Sequence, residues 1–170
     1  GLNILDIKSA QGCTLELSNG DKILDLTSGI GILALGHNHP KIIEVERKFQ
    51  DLNIVDTQKF GPNKLQAALA YNLSQILPED LEVTFFAISG AEAVEAAIKL
   101  STMAKGSEGK YFISANESYH GKTLGALSVT DTENFSDGFL LGLPKENTIK
   151  IPFNDIQSYK EIISKHKKEK

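Results

Sequence analysis

Apolar and polar side chains alternate along two short segments near the start of the chain. Residues 13–17 and 22–26 carry this alternation on either side of Asn19 and Gly20. A pair of alternating runs around Asn-Gly is typical of two antiparallel strands joined by a tight turn. The pattern therefore predicts a β-hairpin over residues 13–26.

Farther along the chain, apolar side chains recur at helical spacing instead. Pro40 occupies a position that proline favours, the first turn of a helix, and Asp155 is a typical N-cap residue. The predicted helices run from Pro40 onward, over 63–77, over 91–105, over 121–127, and from Asp155 to about residue 168.

Runs rich in β-branched and aromatic residues separate these helices and predict strands. The runs lie at 83–88, 110–114 and 148–151, with a short extended piece over 127–130 and a loop over 134–143. Strands and helices alternate from residue 62 onward, which predicts an α/β fold. We expect a mostly parallel sheet flanked by helices, with the β-hairpin segment before it.

Composition narrows the classes of partner. The 170 residues carry a net charge of −4, which gives no indication of a nucleic-acid or membrane partner. The single cysteine, Cys13, excludes an internal disulfide and fits a reducing compartment. No apolar run approaches the roughly 18 residues of a membrane-spanning helix. We therefore expect a cytoplasmic protein that binds neither nucleic acid nor membrane.

The predicted strand over 83–88 turns abruptly into a helix at Ser89-Gly90-Ala91. The first backbone N–H groups of a helix lack intrahelical acceptors, and the helix dipole adds positive charge there. Such a corner can bind a phosphate or another anion. Gly90 would let a ligand approach the backbone, and Ser89 would add a hydroxyl donor. An ordinary turn between a strand and a helix accounts for the same residues, so both interpretations stay open.

Two histidine-containing segments also suggest chemistry. Tyr119 and His120 precede Gly121, and they fit either a ring-stacking pair or ordinary packed residues. His37 and His39 lie two residues apart without a cysteine or a neighbouring carboxylate, so we expect no metal site there. Capping of the helix at Pro40 by Asn38 or His39 is the favoured interpretation.

Taken together, these segments resemble the class III (omega-type) aminotransferases, which include ornithine, acetylornithine and 4-aminobutyrate aminotransferases. Residues 20–31 are similar to the N-terminal hairpin and loop of that family, and 35–40 to its Gly-His-x-His-Pro element. Residues 89–99 resemble its phosphate-binding corner, and 119–123 its cofactor-stacking motif. The four segments occur in the family's order and at its separations. The chain is thus identified as the N-terminal portion of a member.

The resemblance implies the cofactor pyridoxal 5′-phosphate (PLP) and part of the large domain of the fold-type I PLP transferases. The implied domains are a hairpin with its glycine-rich loop over 1–39, and an incomplete N-terminal half of the PLP-binding domain over 40–170. One departure is Ile88, where many relatives carry a polar residue. The residues that the resemblance assigns to the cofactor are Ser89, Gly90, Ala91, Tyr119 and His120.

Within that assignment, Gly90 and Ala91 would donate backbone N–H groups to the cofactor phosphate, with Ser89 beside them. Tyr119 would stack on the pyridine ring and His120 would flank it. The resemblance also places Ile30, in the glycine-rich loop, at a position that lines the substrate pocket in some relatives.

The implied activity is transfer of an amino group from an amine or amino acid to a 2-oxo acid, in a homodimer. The chemistry needs a Schiff-base lysine, and no lysine of this chain has a matching context. We therefore expect this chain to supply contacts to the phosphate and ring, and to be inactive alone. The alternatives are an inactive fragment or pseudoenzyme that acts as a binding or assembly module, and a related PLP aminomutase or decarboxylase.

Overall fold

The computed structural model describes residues 5–55, 60–61, 63–78, 80–106, 109, 111–132 and 135–166. The chain divides into two compact units, Gly1–Lys64 and Leu65–Lys170. The domain boundary predicted after residue 39 stays a prediction. Each unit is described below by itself.

The first unit contains a three-stranded antiparallel sheet in the order β1-β2-β3. The predicted hairpin is confirmed, and its turn is closed by Leu17 N–H donating to Asp21 O at 2.8 Å. The first strand was not predicted, because its sequence Ile-Lys-Ser-Ala-Gln carries a single large apolar residue. The strands are β1 (Ile7–Gln11), β2 (Thr14–Leu17) and β3 (Lys22–Leu24).

A glycine-rich loop joins the sheet to the next long helix. Its first part is a four-residue turn, α1 (Ser28–Gly31), in which Gly29 and Ile30 have left-handed dihedral angles. Its last part lies against the sheet, where Gly12 and His37 form an antiparallel bridge. A Cβ atom on Gly36, at φ 78°, would lie 2.9 Å from Gly12 O, so only glycine fits this approach.

Helix α2 (Pro40–Asp51) begins at the predicted proline. The predicted side-chain cap is wrong. His39 occupies the N-cap position without a capping hydrogen bond. The Asn38 side chain instead donates to Ala10 O at 2.7 Å, since the loop brings it back against the sheet.

The second unit is built from helices around a two-stranded parallel sheet, which confirms the α/β prediction. Phe112 pairs with Thr148, and the register continues to Ala115 and Ile151. Its elements are α3 (Lys64–Ser74), α4 (Gly90–Lys105), β4 (Phe112–Ala115), α5 (Leu124–Val129), a 3-10 turn (Lys145–Asn147), β5 (Thr148–Ile151) and α6 (Ile156–His166).

Helix α5 forms the most buried part of the described chain. Ala126 is fully buried, and Leu127 is 4% exposed. The extended piece predicted over 127–130 is therefore wrong: the helix continues to Val129, and Thr130 N–H still donates to Ala126 O. The β-branched side chains had favoured an extended backbone, but burial of the helix decides the conformation.

The strand predicted over 83–88 is also wrong. These residues pair with no other described segment, although their composition favours β-structure. Val83 and Ile88 are 95% and 96% exposed. A strand needs a partner for its backbone hydrogen bonds, and composition alone supplies none.

The helix predicted over 121–127 begins only at Leu124, after the left-handed Gly121, whereas the other helix and loop predictions agree closely with the structure within the described ranges. Helices were predicted near the observed α3, α4 and α6, and 135–143 contain neither helix nor strand. Asp155 caps α6 as predicted, because its Oδ1 accepts from Gln157 N–H and Ser158 N–H. Three predicted positions lie outside the described residues. They are the end of this helix at about residue 168, the first residue of the strand predicted over 110–114, and the first residue of the loop predicted over 134–143.

Candidate active site

The site begins where the extended residues before α4 turn into the helix. Ser89 has extended dihedral angles and is the N-cap residue, and its Oγ accepts from Glu92 N–H at 3.2 Å. The Glu92 carboxylate reaches back and accepts from Ile88 N–H at 2.9 Å. This pair of bonds resembles a capping box, which fixes the first turn of the helix.

The next two backbone donors remain unused. Among the described residues, none accepts a hydrogen bond from the N–H groups of Gly90 or Ala91. A Cβ atom added at Gly90 would meet nothing within 4 Å, so open space lies beside this backbone. Two free donors at the positive end of a sixteen-residue helix are suited to an anion.

These donors line a concave cavity of about 680 Å³. All five residues that the resemblance assigns to the cofactor line it. The lining comprises Ser89, Gly90, Ala91, Val94, Tyr119, His120, Gly121, Lys122 and Thr123. The structure thus brings together two segments that lie about thirty residues apart in the sequence.

The second of these segments packs directly on the first turn of α4. A Cβ atom on Gly121, at φ 125°, would lie 2.6 Å from Ala91 Cβ, so a larger residue cannot be accommodated there. His120 N–H donates to Thr130 Oγ1 at 3.0 Å, and the same hydroxyl bonds to Gly121 O. Because Thr130 is 8% exposed, a buried side chain sets the position of this backbone.

Tyr119 offers an aromatic surface at the cavity. Its side chain is 58% exposed, and its ring meets the Phe135 ring edge-on with centroids 5.9 Å apart. Lys122 Nζ lies 4.0 Å from the centroid of Phe135. This cation–π contact directs the cavity's lysine toward an aromatic ring. Phe135 was not predicted from the sequence, because nothing near it forms a motif.

Glu95 connects α4 to α5. Its Oε1 accepts from Gly125 N–H at 2.8 Å and from Ala126 N–H at 3.2 Å. The Thr123 hydroxyl lowers the pKa of Glu95 below its ordinary value, and the two backbone bonds add to this while partial burial opposes it. Glu95 was not predicted as a site residue. Its spacing of four from Ala91 places it on the same helix face as the corner but does not identify its partners in α5.

Ile30 belongs to the first unit, in the left-handed turn α1, and its side chain is 89% exposed. The turn follows Asp25, whose Oδ1 accepts from Thr27 N–H and Ser28 N–H. The other oxygen of Asp25 lies 2.7 Å from His37 Nε2. The His37 contact, followed by the backbone bonds, lowers the pKa of Asp25.

Two other features bear on the class of site. Throughout the described ranges, no three His, Cys, Asp or Glu side chains are grouped so as to hold a metal ion. In the same parts of the chain, none of the helices combines the length and apolar character needed to cross a bilayer.

Comparison with known proteins identifies the family. The model of the family "Aminotransferase class-III" matches residues 2–170. The chain belongs to the class III aminotransferases. The resemblance carried by the hairpin, the corner and the Tyr-His-Gly segment is therefore confirmed.

Individual members of the family show how much of a class III aminotransferase is present. The acetylornithine aminotransferase of Methanosarcina acetivorans is 32% identical over 98% of this chain and 40% of its own length. The adenosylmethionine-8-amino-7-oxononanoate aminotransferase of Methanocaldococcus jannaschii is 34% identical, with a TM-score of 0.82 over 98% of this chain and 39% of its own. The chain thus spans about 40% of the length of these relatives.

A third comparison concerns the fold alone. The ornithine aminotransferase of Toxoplasma gondii is 22% identical, with a TM-score of 0.77 over 96% of this chain and 40% of its own. The crystal structure of that protein reveals partial occupancy of PLP at its active site.

Proposed function

We propose that the whole protein is a PLP-dependent aminotransferase that moves an amino group from an amine or amino acid to a 2-oxo acid. In this proposal the described chain contributes the contacts to the cofactor's phosphate and ring. The observation that carries the proposal is the pair of unused N–H donors at Gly90 and Ala91, in one cavity with Tyr119 and His120.

The phosphate fits the start of α4 on physical grounds. Gly90 and Ala91 would each donate one N–H to a phosphate oxygen, and the helix dipole favours the negative charge. Gly90 leaves open space where a side chain would stand. The Ser89 hydroxyl lies beside this backbone and already caps the helix, so it would keep the donors in place.

The planar ring fits the Tyr119-His120 side of the same cavity. Tyr119 is more than half exposed and would cover one face of a pyridine ring, and His120, whose backbone is held by Thr130, would flank it. When bound, PLP supplies the electron sink for transamination. The protein's own residues hold the phosphate, orient the ring and restrict its rotation.

The lysine that carries the cofactor is proposed to lie outside these 170 residues, so that the chain alone would be inactive. Lys122, which lines the cavity, makes a cation–π contact with Phe135 and belongs to the ring-stacking segment. Borohydride reduction with PLP followed by peptide mapping tests this. We expect no preferential pyridoxyl label at Lys122, and a stoichiometric label there would contradict the proposal.

Other properties of the whole protein follow from the same family assignment and are part of the proposal. We propose a cytoplasmic homodimer. We also propose that Ile30 lines the pocket for the amino donor or the 2-oxo acid. Its exposure and its braced loop are compatible with contact to a substrate.

The phosphate contact can be tested by removing a single N–H. Gly90 is the first residue of α4, where proline is well tolerated, and the extended Ser89 before it suits a following proline. Gly90→Pro should weaken binding of pyridoxamine 5′-phosphate about tenfold to a hundredfold, since a hydrogen bond to a charged group contributes about 1.5–3 kcal/mol. Isothermal titration calorimetry measures the effect.

The matched control is Ile156→Pro, at the first position of α6. It introduces the same residue at the same helical position, away from the cavity, and should leave the affinity unchanged. If Gly90→Pro binds as tightly as the unmodified chain, the phosphate does not use this corner.

A further inference from the structure

We propose that Glu95 is a positioning residue that holds the ring-stacking segment at a fixed distance from the phosphate corner. The inference rests on the proposed function, because it concerns the same cavity. Glu95 would make no contact with the cofactor and would take no part in the chemistry. Its effect would be exerted through the backbone of α5 and of the residues before it.

Glu95 performs for α5 the capping that this helix lacks locally. Thr123 occupies the N-cap position of α5 but makes no capping bond with its own side chain. Glu95 supplies the acceptor instead, at the N–H groups of Gly125 and Ala126, the second and third residues of the helix. The Thr123 hydroxyl is also close enough to Glu95 to lower the pKa of its carboxylate. The start of α5 is therefore fixed to α4.

A second contact lies one turn earlier on α4. Ala91 packs against Gly121 so closely that a Cβ atom there would lie 2.6 Å from Ala91 Cβ. Glu95 packs as closely on Gly125, where a Cβ atom would lie 2.8 Å from its Cδ. Residues four apart lie on one face of a helix. The same face of α4 thus holds the segment containing Tyr119 and α5 at two successive turns.

This arrangement matters because the proposed ligand has two parts joined covalently. The phosphate would bind at the first turn of α4, and the ring would bind on Tyr119. Binding of one part raises the effective concentration of the other only if the two subsites keep the correct separation. Glu95 sets that separation, since it joins α4 to the helix that follows Tyr119.

The test compares a ligand that needs both subsites with one that needs a single subsite. Pyridoxamine 5′-phosphate spans both and has no aldehyde to label surface lysines, whereas inorganic phosphate needs only the corner. In Glu95→Ala we expect the affinity for pyridoxamine 5′-phosphate to fall at least tenfold. The affinity for inorganic phosphate should stay within about twofold, because the donors at Gly90 and Ala91 are unchanged.

Conservative variants and a matched control sharpen the comparison. The amide oxygen of Glu95→Gln can still accept from both N–H groups, so most of the affinity for pyridoxamine 5′-phosphate should be restored. Thr123→Val, which removes the hydroxyl that lowers the pKa of Glu95, should give an intermediate loss. Glu161→Ala, on the exposed face of α6, removes a carboxylate elsewhere in the unit and should behave like the unmodified chain.

The outcomes separate this inference from the proposed function. If the unmodified chain binds neither ligand, the proposed function fails. If it binds both and Glu95→Ala keeps the same ratio of the two affinities, the positioning role is overturned. If Glu95→Ala does not fold, the ratio measured for Thr123→Val decides in the same way. Hydrogen exchange at Gly125 and Ala126 supplies a ligand-free readout, and unaltered protection in Glu95→Ala would also overturn the inference.

Discussion

At the scale of single residues, two glycines determine how closely the cavity's two walls approach each other. Gly121 and Gly125 face Ala91 and Glu95 on α4, with no room for a Cβ atom at either position. Their role differs from that of Gly90, beside which space is open. Gly121 and Gly125 are therefore explained by close packing within the protein. Gly90 is explained by the access that it gives to the backbone.

Replacing Gly125 with alanine should therefore destabilise the second unit. The added methyl group would displace the Glu95 carboxylate from its two backbone donors, and overpacking of this kind costs about 1–3 kcal/mol. Urea unfolding followed by circular dichroism measures the loss. Gly90→Ala is the control, since its methyl group enters open space, and its free energy of unfolding should not decrease. Equal stability of Gly125→Ala and Gly90→Ala would show that the contact with Glu95 is not tight.

The ionised form of Glu95 should also contribute to stability in a pH-dependent way. Its pKa is lowered in the folded chain, first by the Thr123 hydroxyl. A group with a depressed folded pKa stabilises the protein above its unfolded pKa, and this contribution is lost as the pH falls through the folded pKa.

The difference in stability between the unmodified chain and Glu95→Gln isolates this contribution from that of Asp25 and Asp155, whose pKa values are lowered as well. Urea midpoints measured from neutral pH into the acid range should converge for the two proteins as the pH decreases. A difference that stays constant across this range would contradict the assignment.

At the scale of elements, the starts of α4, α5 and α6 are capped in different ways. Ser89 and Asp155 cap α4 and α6 with their own side chains. Helix α5 receives its cap from Glu95, which belongs to another helix. Local caps depend only on neighbouring residues, whereas the cap of α5 depends on tertiary packing.

The cap of α6 gives a simple prediction. Asp155 accepts from the N–H groups of Gln157 and Ser158, and also from the Ser158 hydroxyl at 2.6 Å. Asp155→Ala should destabilise the second unit by about 1 kcal/mol. Thermal unfolding compared with that of Asp137→Ala, at a position outside any helix or strand, provides the measurement. Identical melting temperatures for the two variants would refute the capping role.

The same distinction explains how much of the fold and the site could be predicted. The hairpin at Asn19-Gly20, the helix start at Ser89 and the cap at Asp155 are local signals, and the structure has all of them. The bonds from Glu95 to α5 span about thirty residues, and no local pattern encodes them. The error over 83–88 has the same origin, because a strand exists only with a partner.

At the scale of the whole molecule, the balance of apolar surface is unusual. In the described ranges, the buried apolar side chains are those of Ala126, Leu127 and Val129 on one short helix. Large apolar residues elsewhere are widely exposed, including Val83 and Leu140 at 95% and 88%. Extensive exposure of large apolar side chains favours association with another surface.

We therefore expect the 170-residue chain to self-associate. The extended segment 83–88 should be a principal contributor. The segment is rich in β-forming side chains and forms no ladder with other described residues, so its backbone groups other than Ile88 N–H, which donates to Glu92, are available to a second copy. Val83→Lys places a charge in this segment. It should lower both the weight-average molecular mass measured by analytical ultracentrifugation and the binding of a hydrophobic dye. Val83→Ile is the matched control and should retain both. The helical circular dichroism should be equal in all three proteins, because Val83 lies outside the helices.

A monomeric unmodified chain at every concentration tested would contradict the expectation, and so would undiminished association of Val83→Lys.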